Sequence, residues 1–390
     1  MIDNLPNGWK IEELNNCGKI ITGKTPSKKI DEYWNSNDIS FIKPDDFDKN
    51  RIIYFEKGKD FISQKGFEKA VKIPSNSVLT TCIGNIGNVL INKFEATINQ
   101  QINAIIPNEN INFKYLAYAI KKIKPILVDR ANAPVVPIIN KTDFGKFSIP
   151  IPPLQQQEKI VKVLDLTSNL IEKQKELLEK YDLFLKSKFI EMFGDPISNP
   201  MGWEVVKLGN YGTLARGKSA HRPRNAPFLY GGKYPFIQTG DITKKGSIYL
   251  RDFKQTYSEE GIKQSKLFSE NTIAITIAAN IGDAKVLSFD CYFPDSVVGF
   301  NVEIPLFVVY LLSFYKYKLE QESTQTAQKN INLQVLNNLD VIKPEIELQN
   351  KFASIVEKIE TIKEKENQKL KQMNDLHNSM MNKAFKGEIK

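Results

Sequence analysis

Two octapeptides in the chain have the residue types and spacing of a phosphate-binding loop. Gly18-Lys-Ile-Ile-Thr-Gly23-Lys24-Thr25 matches GxxxxGK[ST], and so does Gly212-Thr-Leu-Ala-Arg-Gly217-Lys218-Ser219. In that chemistry a glycine-rich loop follows a buried strand, and the amides of the next helix cradle the phosphates. The context here is different. Pro26 follows Thr25 directly, Arg222, Pro223 and Arg224 interrupt the second copy, and Ile20-Ile21-Thr22 reads as strand rather than loop. A strand ending in a glycine turn, with Lys and Thr or Ser at its tip, fits better; a tandem nucleotide hydrolase remains an alternative. Other catalytic chemistry is thin. The two His (His221, His377) have no ligand spacing, and the three Cys (Cys17, Cys82, Cys291) form no CxxC pair. No Asn-Pro-Pro tetrapeptide, glycine-rich cofactor loop, carboxylate cluster or Ser-His-Asp set stands out, which favours binding over catalysis.

The elements that would position these tips come next. Ile160, Val163, Leu164, Leu170, Ile171, Leu177, Leu178, Tyr181 and Leu185 recur at spacings of three and four, so a long helix is expected from about 152 to 193. Pro152 and Pro153 suit its first turn, and Gly194 and Pro196 its stop. A rod of about 60 Å cannot bury its stripe in one small domain. A second stripe, Phe352, Ile355, Val356, Ile359, Ile362, Leu370, Met373, Leu376 and Met380, runs between Pro344 and Gly387. The two helices are expected to pack as an antiparallel pair. Glu366 interrupts the second stripe and argues against a strict heptad zipper. The alternative is two separate surface helices.

The chain is also written twice. Gly8-Trp9, Gly23-Lys24, Asn85-Ile86-Gly87, Tyr115-Leu116, Ile139-Asn140 and Leu154-Gln155 return in the same order as Gly202-Trp203, Gly217-Lys218, Asn280-Ile281-Gly282, Tyr310-Leu311, Ile331-Asn332 and Leu348-Gln349, at separations of 192 to 195. Within each copy Val78–Ile83 and Thr272–Ile277, and Ile39–Ile42 and Tyr234–Ile237, read as strands, while Phe113–Ile123 and Leu306–Leu319 read as helices. The fold class expected is therefore α+β: a tandem duplication of a β-rich domain, with mostly antiparallel sheet, plus one long helix, the two helices forming an antiparallel coiled coil. The boundaries expected are 1–151 and 196–344 for the β-rich domains, 152–195 and 345–390 for the helices.

Net charge is +9 with pI near 9.1. Each long helix is nearly charge-balanced, with seven Lys against seven acids in 154–193 and eight against seven in 345–386. The basic excess thus lies in the β-rich parts, as suits a polyanionic partner there. The longest apolar run, Pro305–Phe314, is too short to span a bilayer, and no signal peptide opens the chain. A cytoplasmic protein is expected.

Over nearly its whole length the chain resembles the specificity subunit of type I restriction-modification enzymes. The pieces that carry the resemblance are Gly-Trp at 8–9 and 202–203, Gly-Lys-Thr-Pro-Ser at 23–27, Ile-Pro-Ile-Pro-Pro-Leu at 149–154, and Met-Phe-Gly-Asp-Pro at 192–196. Gln-Lys-Asn-Ile-Asn at 328–332, Leu-Gln-Asn-Lys-Phe-Ala at 348–353 and Ala-Phe-Lys-Gly-Glu at 384–388 complete the set. Gln155-Gln156-Gln157 departs from it, since the family often has an acidic residue beside Gln. The resemblance implies two target recognition domains, each reading half of a split double-stranded DNA sequence, with the helices as a ruler. It implies two modification subunits that carry S-adenosylmethionine and methylate adenine, and two restriction subunits that use ATP and Mg. It implies no cofactor, metal or catalysis in this chain, and no membrane. A two-lobed adaptor for protein or glycan is the competing class.

For DNA binding, Lys24, Lys28, Lys29 and Arg130 in the first lobe are expected to hold phosphates, with Lys218, Arg224, Lys244, Lys245 and Lys329 in the second. Thr25, Asn85, Asn132, Arg222, Asn280 and Gln328 are candidates for base edges, and Ser219 stands where the first lobe has Thr25. Asn85 and Asn280 could instead cap backbone in their glycine turns, lysines can be merely solvated, and Gln100 and Gln101 could pair backbone or base.

Overall fold

A computed structural model describes residues 5–34, 36–131, 136–324 and 330–389. The chain forms two compact units. One holds residues 1–173 and 371–390, the other 174–370.

The strands of the first unit are β1 (Lys10–Glu13), β2 (Gly18–Thr22), β3 (Ile39–Ile42), β4 (Ile53–Phe55), β5 (Phe61–Ile62), β6 (Lys72–Ile73), β7 (Val78–Thr81), β8 (Val89–Asn92), β9 (Ala96–Ile98), β10 (Ile102–Pro107) and β11 (Ser148–Ile151). They make a five-stranded sheet in the order β2-β10-β7-β8-β4, a four-stranded sheet β5-β3-β9-β6 and a ribbon β1-β11. Pairing is antiparallel except for β4–β8 and β3–β9. Alternation along β7 and β8 separates two cores. Val78 and Ile91 face the helices, while Leu79 and Leu90 face the second sheet. With both faces covered, β7 and β8 are buried at every residue.

The second unit repeats this plan with β12 (Glu204–Lys207), β13 (Gly212–Arg216), β14 (Tyr230–Phe236), β15 (Tyr249–Leu250), β16 (Gln255–Tyr257), β17 (Leu267–Phe268), β18 (Ile273–Thr276), β19 (Ala284–Leu287), β20 (Cys291–Tyr292), β21 (Val297–Val302) and β22 (Asp340–Lys343). Its sheets run β13-β21-β18-β19-β15, β16-β14-β20-β17 and β12-β22. Every strand of the first unit has a counterpart in the same place, so the duplication extends to the complete strand order.

The helix Phe113–Lys122 packs its apolar side on the first sheet and Pro305–Thr324 does so in the second unit. The central helix spans Leu154–Phe193 and the C-terminal helix Ile346–Lys386. Pro152 and Pro153 sit just outside the first turn, and the Pro153 carbonyl accepts from the amides of Gln156 and Gln157 at 2.8 and 3.1 Å. Gly194 and Gly387 end the helices at φ +73° and +75°, a left-handed stop that glycine takes without strain.

The helices form an antiparallel coiled coil, seen within each unit. In the first, the side chain of Gln156 donates to the Ile389 carbonyl, and Thr167 meets His377 at 2.7 Å. In the second, Gln174 reaches Glu366 at 2.7 Å, Lys363 reaches Asp182 at 2.6 Å, and the Phe189 and Phe352 rings lie 5.3 Å apart. Gln157, Ile160, Leu164, Thr167, Ile171, Gln174, Leu178, Tyr181 and Leu185 form the seam of the central helix. Gln349, Phe352, Val356, Ile359, Lys363, Glu366, Leu370, Met373, His377, Met380 and Ala384 form the other, and all are buried or half-buried. Spacings of three and four alternate throughout both sets, so the heptad is strict after all. Glu366 belongs to it as a polar member rather than breaking it.

Of the residues expected to pack, Ile160, Leu164, Ile171 and Phe352 are buried, and Val163, Leu178, Ile355, Ile359, Leu370 and Met373 are half-buried. Leu170, Leu177 and Ile362 are 41%, 36% and 38% exposed and do not belong to the seam. Adjacent helix residues are about 100° apart, so of each pair 170/171 and 177/178 only one can face the partner helix; Ile171 and Leu178 do.

Each end of the pair also completes a globular core. Ile160, Val161 and Leu164 join Met381, Ala384 and Phe385 in the first unit's core, where Phe385 lies 5.5 Å from the Tyr115 ring. Leu185, Phe189 and Phe193 join Phe352 and Val356 in the second, around Phe307. Gln157 and Gln349 each donate back to a proline carbonyl five residues earlier, at 2.9 Å to Pro152 and 2.7 Å to Pro344. They are the equivalent glutamines. The Leu-Gln match at 154 and 348 is slipped by two residues.

Candidate nucleic-acid interface

Strand register gathers the first lobe's candidate loops at one end of its main sheet. Thr22 pairs with Asn103 and Thr81 with Ile102, so the exits of β2 and β7 and the start of β10 lie side by side. Gly23 leaves β2 there with its amide on the Ile102 carbonyl, and Lys24 donates to Ile98, each at 3.1 Å. A Cβ on Gly23 would stand 2.0 Å from the Asn99 carbonyl oxygen, so only glycine passes this crossing. Beyond it Lys24 is exposed and Thr25 half-buried. Thr25, Lys28, Lys43, Asn99, Gln100 and Gln101 line a cleft of about 370 Å³. The Thr25 hydroxyl donates to the Gln100 carboxamide oxygen. Asn99 and Gln101 clasp each other, Nδ2 to Oε1 and amide to Oδ1, both at 3.0 Å. Lys43, absent from the sequence expectations, lines the cleft but is paired with Asp60 at 2.6 Å.

The turn after β7 is held by its backbone. Gly84 and Gly87 take φ +73° and +76°, and the Thr81 hydroxyl donates to the Asn85 carbonyl. The Asn85 side chain is exposed and caps nothing among the described residues. Lys28 and Lys29 are exposed. Arg130, also exposed, lines a separate cleft with Ile138 and Asp143, and Ile138 bridges to Ile83 beside the same turn. Asn132 lies outside the described residues.

The second lobe repeats the geometry with different chemistry. Arg216 pairs with Val298 and Thr276 with Val297, again bringing the two exits and the start of β21 together. Gly217 makes the same crossing, with a Cβ there 2.2 Å from the Pro294 carbonyl oxygen. Lys218 is exposed, but Ser219 is only 6% exposed, because the chain turns inward after the crossing; its hydroxyl is not offered to a base. Arg222 is folded back on its own loop, with Nη1 donating to the carbonyls of Ser219 and His221 at 2.7 and 2.8 Å. Arg224 is paired with Asp295 at 2.7 Å. Lys244 is exposed and 3.9 Å from Asp252, and Lys245 is exposed beside it. Asn280 is exposed in a turn where Ala279 takes the left-handed φ of +64° that Gly84 takes in the first lobe. The side chain of Asn280, like that of Asn85, caps nothing among the described residues. Gln328 and Lys329 lie outside the described residues.

This geometry disposes of the phosphate-loop match. Residues 18–22 and 212–216 are strands, paired along their length with β10 and β21. The amides of Gly23, Lys24, Gly217 and Lys218 at the strand exits already donate to carbonyls, so no amide cradle forms. Burial pushes the Cys17, Cys82 and Cys291 thiols up to about 12, which leaves them unreactive at neutral pH. No His, Cys, Asp and Glu group among the described residues could hold a metal. No described helix is long and apolar enough to cross a membrane; Phe307, Val308, Val309, Leu311 and Leu312 of the apolar run at 305–314 are buried in the second unit's core.

The sequence matches the profile of the type I restriction modification DNA specificity domain twice, over residues 6–180 and 200–372. The chain belongs to this family. Its two matched regions are the two copies of the repeat, and the family is one of recognition rather than catalysis. Among its relatives, the MjaIX specificity subunit of Methanocaldococcus jannaschii is 28% identical, the match covering 91% of this chain and 88% of that one. Two solved structures share the fold over 98% of both chains. One comes from work on the assembly and conformational transition of a type I restriction-modification system, with a TM-score of 0.57 and 16% identity. The other is the specificity subunit from M. genitalium, with a TM-score of 0.54 and 14% identity. Nothing in the comparisons or the geometry favours the adaptor or the nucleotide hydrolase. A specificity subunit works with duplex DNA and with other subunits of its system.

Proposed function

We propose that the chain reads a bipartite duplex. Recognition domains 1–151 and 196–344 each take one half-site, and helices 152–195 and 345–390 set the gap between them. The observation that carries this is the complete duplication of strand order, with loop ends that match in backbone and differ in side chain. Equivalent scaffolds give two related docking poses, while different tips give different base readout. Lys24, Lys28, Lys29 and Arg130, with Lys218, Lys244, Lys245 and Lys329, supply phosphate contacts. Thr25, Asn85, Asn132, Asn280 and Gln328 are the residues assigned to reading base edges. Two modification subunits carrying S-adenosylmethionine, and two restriction subunits using ATP and Mg, complete the system in the cytoplasm; the chemistry belongs to them.

The test is selection from a random duplex pool at near-physiological salt, with the full chain bound to its modification subunits. Two short half-sites at one fixed gap are expected. Lys24→Ala and Lys218→Ala should each weaken binding and lower the salt slope by about one phosphate contact, without changing the bases preferred. No enrichment by an assembled complex overturns the reading.

A further inference from the structure

Arg224 differs from the other basic candidates in being fixed at both ends. Its Nη2 donates to Asp295 Oδ2 at 2.7 Å, and its carbonyl accepts from the Tyr230 hydroxyl at 2.7 Å. Tyr230 is itself anchored, its ring 5.3 Å from Tyr257 and 5.8 Å from Phe236 in a small aromatic cluster. Asp295 is held in turn, since Arg216 Nε donates to its carbonyl at the start of β21. The Arg224 and Asp295 side chains are 48% and 32% exposed. An ion pair that exposed contributes little to stability, so its consequence is positional.

Position and charge together say what Arg224 can meet. The pair is neutral, so it exerts little pull on a phosphate, and the carboxylate repels one. A guanidinium has five N–H donors, and the bond to Asp295 uses one. Four remain, and whichever hydrogen of Nη2 is taken, one two-donor edge is left complete, Nη2 with Nη1 or with Nε, which is the fork that matches the O6 and N7 acceptors of guanine in the major groove. Holding the fork before binding removes much of the ordering cost that a free Lys or Arg would meet. The first lobe has another chemistry at this place. Gln100 stands 195 residues before Asp295, in the equivalent turn, and its carboxamide accepts from Thr25. One lobe presents donors alone, the other a donor and an acceptor.

We infer that Arg224, oriented by Asp295, reads the guanine edge of one base pair in the half-site of the second lobe. This replaces the phosphate role expected from sequence, and it rests on the bipartite reading proposed above.

The experiment is the same duplex selection, with the full chain in complex with its modification subunits, comparing wild type with Arg224→Ala, Arg224→Lys and Asp295→Asn. Wild type should enrich guanine at one position of one half-site. Arg224→Ala should flatten that position, with discrimination falling by about ten- to a hundredfold, and leave the other half-site and the gap unchanged. The unchanged half-site shows that the variant is folded and assembled. Arg224→Lys keeps the charge but loses the planar fork, so it should retain binding while weakening the guanine preference, and it decides the matter if Arg224→Ala fails to assemble. Asp295→Asn should weaken the preference while the charge of Arg224 is retained. A uniform loss across all sequences, with a salt slope lower by about one and every preference intact, makes Arg224 a phosphate contact and overturns the inference alone. A wild-type complex that enriches no paired half-sites overturns the bipartite reading and this inference with it.

Discussion

Gly84 and Ala279 occupy the same turn of the two repeats, and both hold a left-handed backbone, at φ +73° and +64°. Glycine does so freely, whereas an L side chain crowds the following carbonyl at a cost of about 1 kcal/mol. Ala279→Gly should therefore stabilise the protein by about 1 kcal/mol, and Gly84→Ala should destabilise it similarly, since a Cβ at Gly84 meets nothing within 4 Å and only the backbone penalty applies. Equilibrium denaturation reads both; a loss of stability in Ala279→Gly contradicts the account. The same scale shows what single residues did and did not disclose. Gly23 and Gly217 stood out in the sequence, but their reason is a close backbone crossing rather than a bound phosphate. Ser219 looked like an exposed tip and is buried, because burial depends on where the chain turns next. The bond between Arg224 and Asp295 spans 71 residues, and no local pattern announces it.

The long helices were legible in extent and ambiguous in facing. Proline before and glycine after fixed their ends, while neighbouring leucines and isoleucines left the seam open between 170 and 171 and between 177 and 178. What settles the register is polar. Lys363 is nearly enclosed and touches Glu360 at 2.5 Å and Asp182 at 2.6 Å. Burial works against its charge, yet Glu360 and Asp182 outweigh burial and hold it above the ordinary lysine range. Glu360 also accepts from the Ser247 hydroxyl at 2.7 Å, so the network ties a loop of the second lobe to the pair. Lys363→Met leaves Glu360 buried without its partner and should cost about 3–5 kcal/mol. Adding Glu360→Leu should return most of that. Urea unfolding of both variants is the measurement, and a single mutant as stable as wild type contradicts this account of the seam.

The repeat in sequence and the unit in structure are not the same object. Each repeat is a β-rich part followed by a long helix, but each folded unit takes a β-rich part and one stretch of both helices. The first is written in the residue order alone; the second needs the pairing that places Phe385 beside Tyr115. Removing residues 371–390 should open the first unit's core around Ile160 and Leu164 while sparing the second, which contains none of them. Limited proteolysis of the truncated chain should then degrade residues 1–173 first, and equal resistance of both units contradicts this. The arrangement also orders events during synthesis. The N-terminal lobe emerges from the ribosome first, yet Met381, Ala384 and Phe385, which close its core, emerge after the whole second lobe. A chain whose translation stops before Met381 therefore holds an open first lobe, exposed to chaperones and proteases, and both lobes are closed only once that segment has emerged.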